Sequence, residues 1–248
     1  MRTFALVLMS SLVVCLSAVA SPPAGEDWES LFNGKDLSEF DIQLSQKPMW
    51  TVVDGTIDCN PRADVKGDQS IWTNASYGDF ELVVDWRIKE THGKYNMPVV
   101  LPSGLHKKTD KGKDIIERRA NADSGLYLRG SSKSQVNIWC WPIGSGEVYG
   151  YRMDDKMPAE VRRGVTPSEN ADNPVGEWNS FHITMKGDHL TVVLNGKTVL
   201  DHAQLPEIPE RGPIALQHHG GYDPATKKWN PASSLVQYKN FYIRKLTY

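Results

Sequence analysis

Little in this sequence points to a standard nucleophile, a nucleotide or a metal cage. Cysteine is scarce, at 3 in 248 residues, which excludes a disulfide-dense scaffold. No Cys-x-x-Cys pair, His-Glu-x-x-His, Gly-x-Ser-x-Gly or phosphate-cradling glycine loop occurs, so nucleotide chemistry and ordinary zinc hydrolysis find no support. An excess of one charge is also missing. The 28 Lys and Arg balance 30 Asp and Glu for a net charge of −2, giving no reason to expect nucleic acid or an anionic membrane as partner. Apolar runs long enough to cross a membrane are absent, since a span needs about 18 or more such residues. The longest, residues 4–16, follows Arg2 and precedes Ala18-Val19-Ala20, the layout of a cleavable signal peptide. Residues 1–20 are therefore expected to direct export to the periplasm or the cell exterior, leaving 21–248 as a single domain.

Helical periodicity is nearly absent and period-2 alternation dominates. In Phe80-Glu81-Leu82-Val83-Val84-Asp85-Trp86-Arg87-Ile88 the apolar set takes one face while Glu81, Asp85 and Arg87 take the other. Similar alternation recurs in Gly125-Leu126-Tyr127-Leu128-Arg129, in Gln135-Val136-Asn137-Ile138-Trp139 and in Phe181-His182-Ile183-Thr184-Met185. Lys186-Gly187-Asp188-His189 and Asn195-Gly196 read as hairpin turns. Many short strands of this kind predict an all-β, two-sheet antiparallel sandwich. Two stretches, 91–122 and 153–176, break the pattern and are longer than structural turns usually are. Cys59 and Cys140 lie in strand-like runs, where a bridge and two buried thiols are equally compatible with an exported chain.

Because alternate side chains share a face, polar candidates can be collected strand by strand. Asp85, Arg129, Gln135, Asn137, Trp139, Glu147, Tyr149, Gln217 and His219 are the set expected to gather if their strands share one sheet. Amides, arginine and aromatics together suit hydroxyl-rich ligands, which need paired hydrogen bonds and a flat apolar surface. Asp85 and Arg129 also fit a plain cross-strand ion pair. Glu147 follows Gly144-Ser145-Gly146, a flexible approach to a carboxylate, and His219 shares parity with Gln217 whereas His218 does not.

The ordered set Leu31-Phe32-Asn33-Gly34-Lys35-Asp36-Leu37, Trp50-Thr51-Val52-Val53-Asp54-Gly55, Asp123-Ser124-Gly125-Leu126-Tyr127-Leu128-Arg129, Gly176-Glu177-Trp178-Asn179 and Gly212-Pro213-Ile214-Ala215-Leu216-Gln217-His218-His219-Gly220 resembles the 3-keto-disaccharide hydrolase domain family, from near Leu31 to Leu246. The resemblance implies a concanavalin A-like jelly roll and a glycoside or oligosaccharide substrate oxidised at C3 of a hexose. It also implies cleavage by C2 proton abstraction and elimination, followed by hydration. Asp85, Glu147 and His219 would then share base, acid or ligand roles, and Arg129 would steady an enolate. Gln135, Asn137 and Gln217 would bind sugar, with Trp139 or Tyr149 stacked on it. A divalent cation held by the ketone and a neighbouring hydroxyl is compatible with that chemistry, although no spacing specifies a metal site. Two positions depart from the family pattern: Asp123 stands where asparagine is usual, and Gln135 where the strand usually carries glutamate. The loss of that glutamate motivates an alternative, a glycan-binding jelly-roll module without catalysis.

Overall fold

The computed structural model describes residues 24, 25 and 27–247, so the apolar segment expected to be a signal peptide lies outside the described residues. The fold is an all-β, two-sheet antiparallel jelly-roll sandwich. One sheet runs β13 (Lys197–Gln204), β12 (His189–Leu194), β11 (Asn179–Lys186), β6 (Phe80–Ile88), β17 (Val236–Lys245), β4 (Thr56–Cys59) and β3 (Trp50–Val53), with β1 (Glu29–Ser30) also paired to β17. The other runs β10 (Ser131–Trp139), β9 (Asp123–Leu128), β14 (Ala215–Leu216), β5 (Ile71–Thr73) and β2 (Phe40–Asp41). Hairpins join β3 to β4, β9 to β10 and β11 through β13, whereas β6 with β11 and β17, β17 with β4, and β14 with β9 and β5 are neighbours distant in sequence, as jelly-roll connections require.

Alternation explains the layering. Along β6 every second residue is buried, from Phe80 to Ile88, and β11 and β12 repeat the pattern. These side chains meet Leu126, Leu128, Val136, Ile138, Ile214 and Leu216 of the five-stranded sheet in one core. Tight hairpins turn the chain. Asn195 and Gly196 both adopt positive φ between Leu194 and its partner Lys197, the geometry whose twist matches the flanking strands. Arg129 and Gly130 do the same between Leu128 and Ser131, which takes Arg129 out of the strand.

The two stretches that break the strand pattern become ordered additions. Residues 91–122 fold into a ribbon, β7 (Tyr95–Pro98) paired with β8 (Ile116–Arg119). Residues 149–164 hold two short helices, α1 (Tyr149–Arg152) and α2 (Ala159–Gly164). A last small hairpin joins β15 (Tyr222–Asp223) to β16 (Lys228–Trp229). The cysteines are free thiols, Cys59 buried and Cys140 partly so. Burial pushes both thiols upward, Cys140 to about 11.

Candidate active site

The outer face of the five-stranded sheet carries a row of polar groups. Gln217 lies beside Gly125 through its N–H to the Gly125 carbonyl (2.9 Å), and Gly125 pairs with Asn137. Asn137 in turn donates its N–H to the Glu147 carbonyl at 2.9 Å, so residues 146–147 extend the sheet past β10. Gly125 is what lets this row close. A Cβ there would stand 2.7 Å from Gln135 Nε2 and 2.6 Å from the Val136 carbonyl oxygen. Without one, the Gln135 amide lies across the strand and donates to Gln217 Oε1 at 2.5 Å. The Tyr127 hydroxyl reaches Gln217 and Ser70, and the Tyr127 ring packs on Trp72 with centroids 5.6 Å apart.

At one end of the row Asp123 and His219 are held together by a serine. Ser234 Oγ donates to the Asp123 carbonyl (2.6 Å) and accepts the His219 N–H (2.7 Å). His219 Nδ1 lies 2.5 Å from the Ala232 carbonyl. A carbonyl can only accept, so Nδ1 carries the proton and the neutral ring keeps its lone pair on Nε2. Burial pushes the Asp123 carboxyl up to about 6, and the nearby His219 acts against that rise.

At the other end Glu147 and Arg152 form an ion pair with both side chains fully shielded from solvent. Arg152 Nε donates to Glu147 Oε1, and Nη1 donates to the Gly104 carbonyl at the ribbon tip (3.1 Å). Three buried atoms here lack partners: Glu147 Oε2, Arg152 Nη2 and Asn137 Nδ2. Burial drives the Glu147 carboxyl upward against the pull of Arg152, and Asp123 adds to the rise. Tyr149 stands over this end, 40% exposed, with the Arg152 guanidinium 5.3 Å from its ring centroid. The face thus combines a basic imidazole, a carboxyl tuned toward neutrality, a row of amides and an accessible aromatic ring.

The sequence-derived set divides accordingly. Gln135, Asn137, Glu147, Tyr149, Gln217 and His219 share this face. Asp85 does not: β6 belongs to the eight-stranded sheet, and Asp85 accepts a hydrogen bond from Asn240 on the opposite surface of the sandwich. Alternation sets the face of a side chain within its own strand and says nothing about which sheet the strand joins. Arg129 is also elsewhere. It is 2% exposed, pairs with Asp79 at 2.7 Å, and donates to the carbonyls of Gly78, Gly187 and Pro209, so it fastens loops rather than an enolate. Trp139 has the expected parity but is 3% exposed. Its indole N–H donates to the Gly144 carbonyl (2.7 Å) and its ring stacks on Trp141 at 4.3 Å under Met97 of the ribbon. Tyr149 is left as the accessible ring.

Sequence reasoning missed Asp123, Arg152 and Ser234 as members of the site, and strand parity put Tyr127 on this face without assigning it a role. Asp123 alone carried a signal, as the departure from the usual asparagine. Among the described residues no group of three or more His, Cys, Asp or Glu side chains gathers as a metal cage. Asp123 and His219 supply two donors, which does not fit a resident metal site.

Three crystal structures of Parabacteroides distasonis ATCC 8503 proteins, assigned provisionally as glycosyl hydrolases, share the fold. One is 18% identical with a TM-score of 0.54, covering 90% of this chain and 95% of its own. A second is 22% identical with a TM-score of 0.53, covering 88% and 99%. A third is 22% identical with a TM-score of 0.50, covering 89% and 84%. No curated protein matches the chain. The 3-keto-alpha-glucoside-1,2-lyase-like domain matches residues 27–244. The jelly roll, the amide-rich face and that match over nearly all the described residues lead to one conclusion: the chain belongs to the 3-keto-alpha-glucoside-1,2-lyase-like domain family of carbohydrate-active proteins.

Proposed function

We propose that the protein cleaves 3-keto-glycosides, with His219 as the base that removes the C2 proton. Support comes first from the His219–Ala232 hydrogen bond, which leaves Nε2 as the only basic position on a ring fixed beside Asp123. A ketone at C3 acidifies the C2 hydrogen, so a single positioned base suffices to form the enolate. The enolate electrons then expel the glycosidic oxygen from C1, and a C1–C2 double bond forms. Asp123 stabilises the imidazolium created in the first step. The departing oxygen takes its proton from the His219 imidazolium, which restores the base, and water adding across the double bond, hydroxyl to C1 and hydrogen to C2, gives net hydrolysis. Gln135 and Gln217 hold hydroxyls of the ring undergoing cleavage, while Tyr149 carries the flat face of a sugar. Export of the mature domain belongs to the same proposal and rests on residues 1–20.

Ordinary retaining hydrolysis is disfavoured because β10 presents Gln135 and Asn137, amides that neither give nor take a catalytic proton. The same amides favour a second reading, a module that binds glycan without turning it over.

Incubation with a 3-keto-glucoside in D2O, followed by NMR, separates the two. The lyase proposal expects deuterium at C2 and release of the aglycone, both lost in His219→Asn. Tight sugar binding with no exchange at C2 overturns the lyase proposal and establishes the binding module.

A further inference from the structure

A second concavity lies on the outer surface of the eight-stranded sheet, across the sandwich from Asp123 and His219. It is a groove of about 400 Å³ floored by Arg87 and Gln237 and walled by the Asp54–Gly55 turn, Lys35 and Trp178. Two cations crowd one aromatic ring there. The Arg87 guanidinium carbon is 4.8 Å and Lys239 Nζ 4.0 Å from the Trp178 centroid. Arg87 gives its Nε–H to a neutral amide, Gln237 Oε1, at 2.7 Å. No salt bridge joins Lys35, Arg87 or Lys239 to a carboxylate among the described residues. Asp85 stands across the ladder from Lys239 but gives a carboxylate oxygen to Asn240. The attraction of each cation to the ring therefore still works against their mutual repulsion, which an anion shared between them would relieve.

The groove is not built for a dense polyanion. Asp54 lines the same wall and would repel a run of phosphates, yet a carboxylate is a strong acceptor for hydroxyls. Asn240 donates its Nδ2–H to Asp85, leaving its carbonyl oxygen as another acceptor for hydroxyls. The volume suits one or two pyranose rings.

From this geometry we infer that the groove is a second saccharide site, specific for a sugar unit bearing one negative group. The anion, a carboxylate or a sulfate ester, sits between Arg87 and Lys239 with Lys35 at the rim. The ring hydroxyls turn to Asp54 and Asn240. This site stands apart from the chemistry assigned to His219 and does not depend on it.

Calorimetric titration tests this with four probes: a β-1,4-linked glucuronate tetramer, singly sulfated cellotetraose, cellotetraose and inorganic sulfate. Binding by either charged oligosaccharide at least tenfold tighter than by cellotetraose and by inorganic sulfate is expected, and the tighter of the two identifies the anion. Lys239→Gln and Lys35→Gln should each weaken it about tenfold, the scale of one charged hydrogen bond. Lys35 is exposed, so its variant separates a lost contact from a lost fold. His219→Asn should leave this affinity unchanged. Equal affinity for cellotetraose, equal affinity for inorganic sulfate, or indifference to both lysine variants would overturn the assignment.

Discussion

Glu147 and Arg152 are five residues apart and face each other in a solvent-free contact that leaves one carboxylate oxygen and one guanidinium nitrogen unpartnered. A buried pair of this kind is costly to break on one side only, because the survivor is an uncompensated charge. Glu147→Gln should lower the unfolding free energy by about 3–5 kcal/mol in urea titrations. The double variant Glu147→Gln with Arg152→Met should recover much of that loss. Equal losses in the single and double variants would mean that the pair contributes through packing alone.

Asp123 makes activity and stability respond to pH in opposite senses. Its carboxyl is raised to about 6 in the fold, against roughly 3.9 in an unfolded chain. The folded form holds its proton more tightly, so this group favours folding fully below about pH 4, and that contribution fades as pH climbs through about 6. The carboxylate that the proposed mechanism places beside the His219 imidazolium appears over the same range. Turnover of a 3-keto-glucoside is expected to rise through about pH 6 while the Asp123 contribution to stability falls. Asp123→Asn should flatten both profiles, as kcat/KM and Tm measured across pH 4–8 will show.

Arg129 and Asp85 provide the complementary test. Arg129→Met removes a buried guanidinium that joins four segments of chain, and a stability loss of about 3–5 kcal/mol is expected. The KM of the folded fraction should not change. Asp85→Asn on the opposite face should leave both kcat and KM within twofold. A selective rise in KM for either variant would return that residue to the site.

Tyr149 and Trp139 should behave as opposites despite their contact. Tyr149→Ala removes an accessible ring and should weaken sugar binding about tenfold, near the scale of a lost stacking surface, with Tm little altered. Trp139→Ala opens a hole beneath Trp141 and Met97 and should cost about 3–5 kcal/mol. Fluorescence-monitored unfolding beside ligand titration separates the two effects.

Much of this architecture was legible from residue order, and the failures have physical causes. Strand alternation identified the buried sets of β6, β11 and β12 and the common parity of Gln135, Asn137 and Gln217. Sheet membership depends on long-range pairing, which no local pattern encodes, and Asp85 was misplaced for that reason. Arg129 reads as the last residue of a strand until its positive φ beside Gly130 is seen. Trp139 has the correct parity, but its cover comes from a ribbon about forty residues upstream, with no strong period of its own. Ser234 carries no signature, since a hydroxyl bridging two backbones resembles any surface serine.

Gly125 adds a different lesson about this face. Its contribution is a missing methyl group, a gap just wide enough for the Gln135 amide to cross. On the proposed function, recognition at the centre of the sheet depends on an emptiness no wider than one carbon. Drift to alanine there would block the crossing while leaving every acid, base and amide in the chain, and a survey of functional groups alone would not reveal the loss.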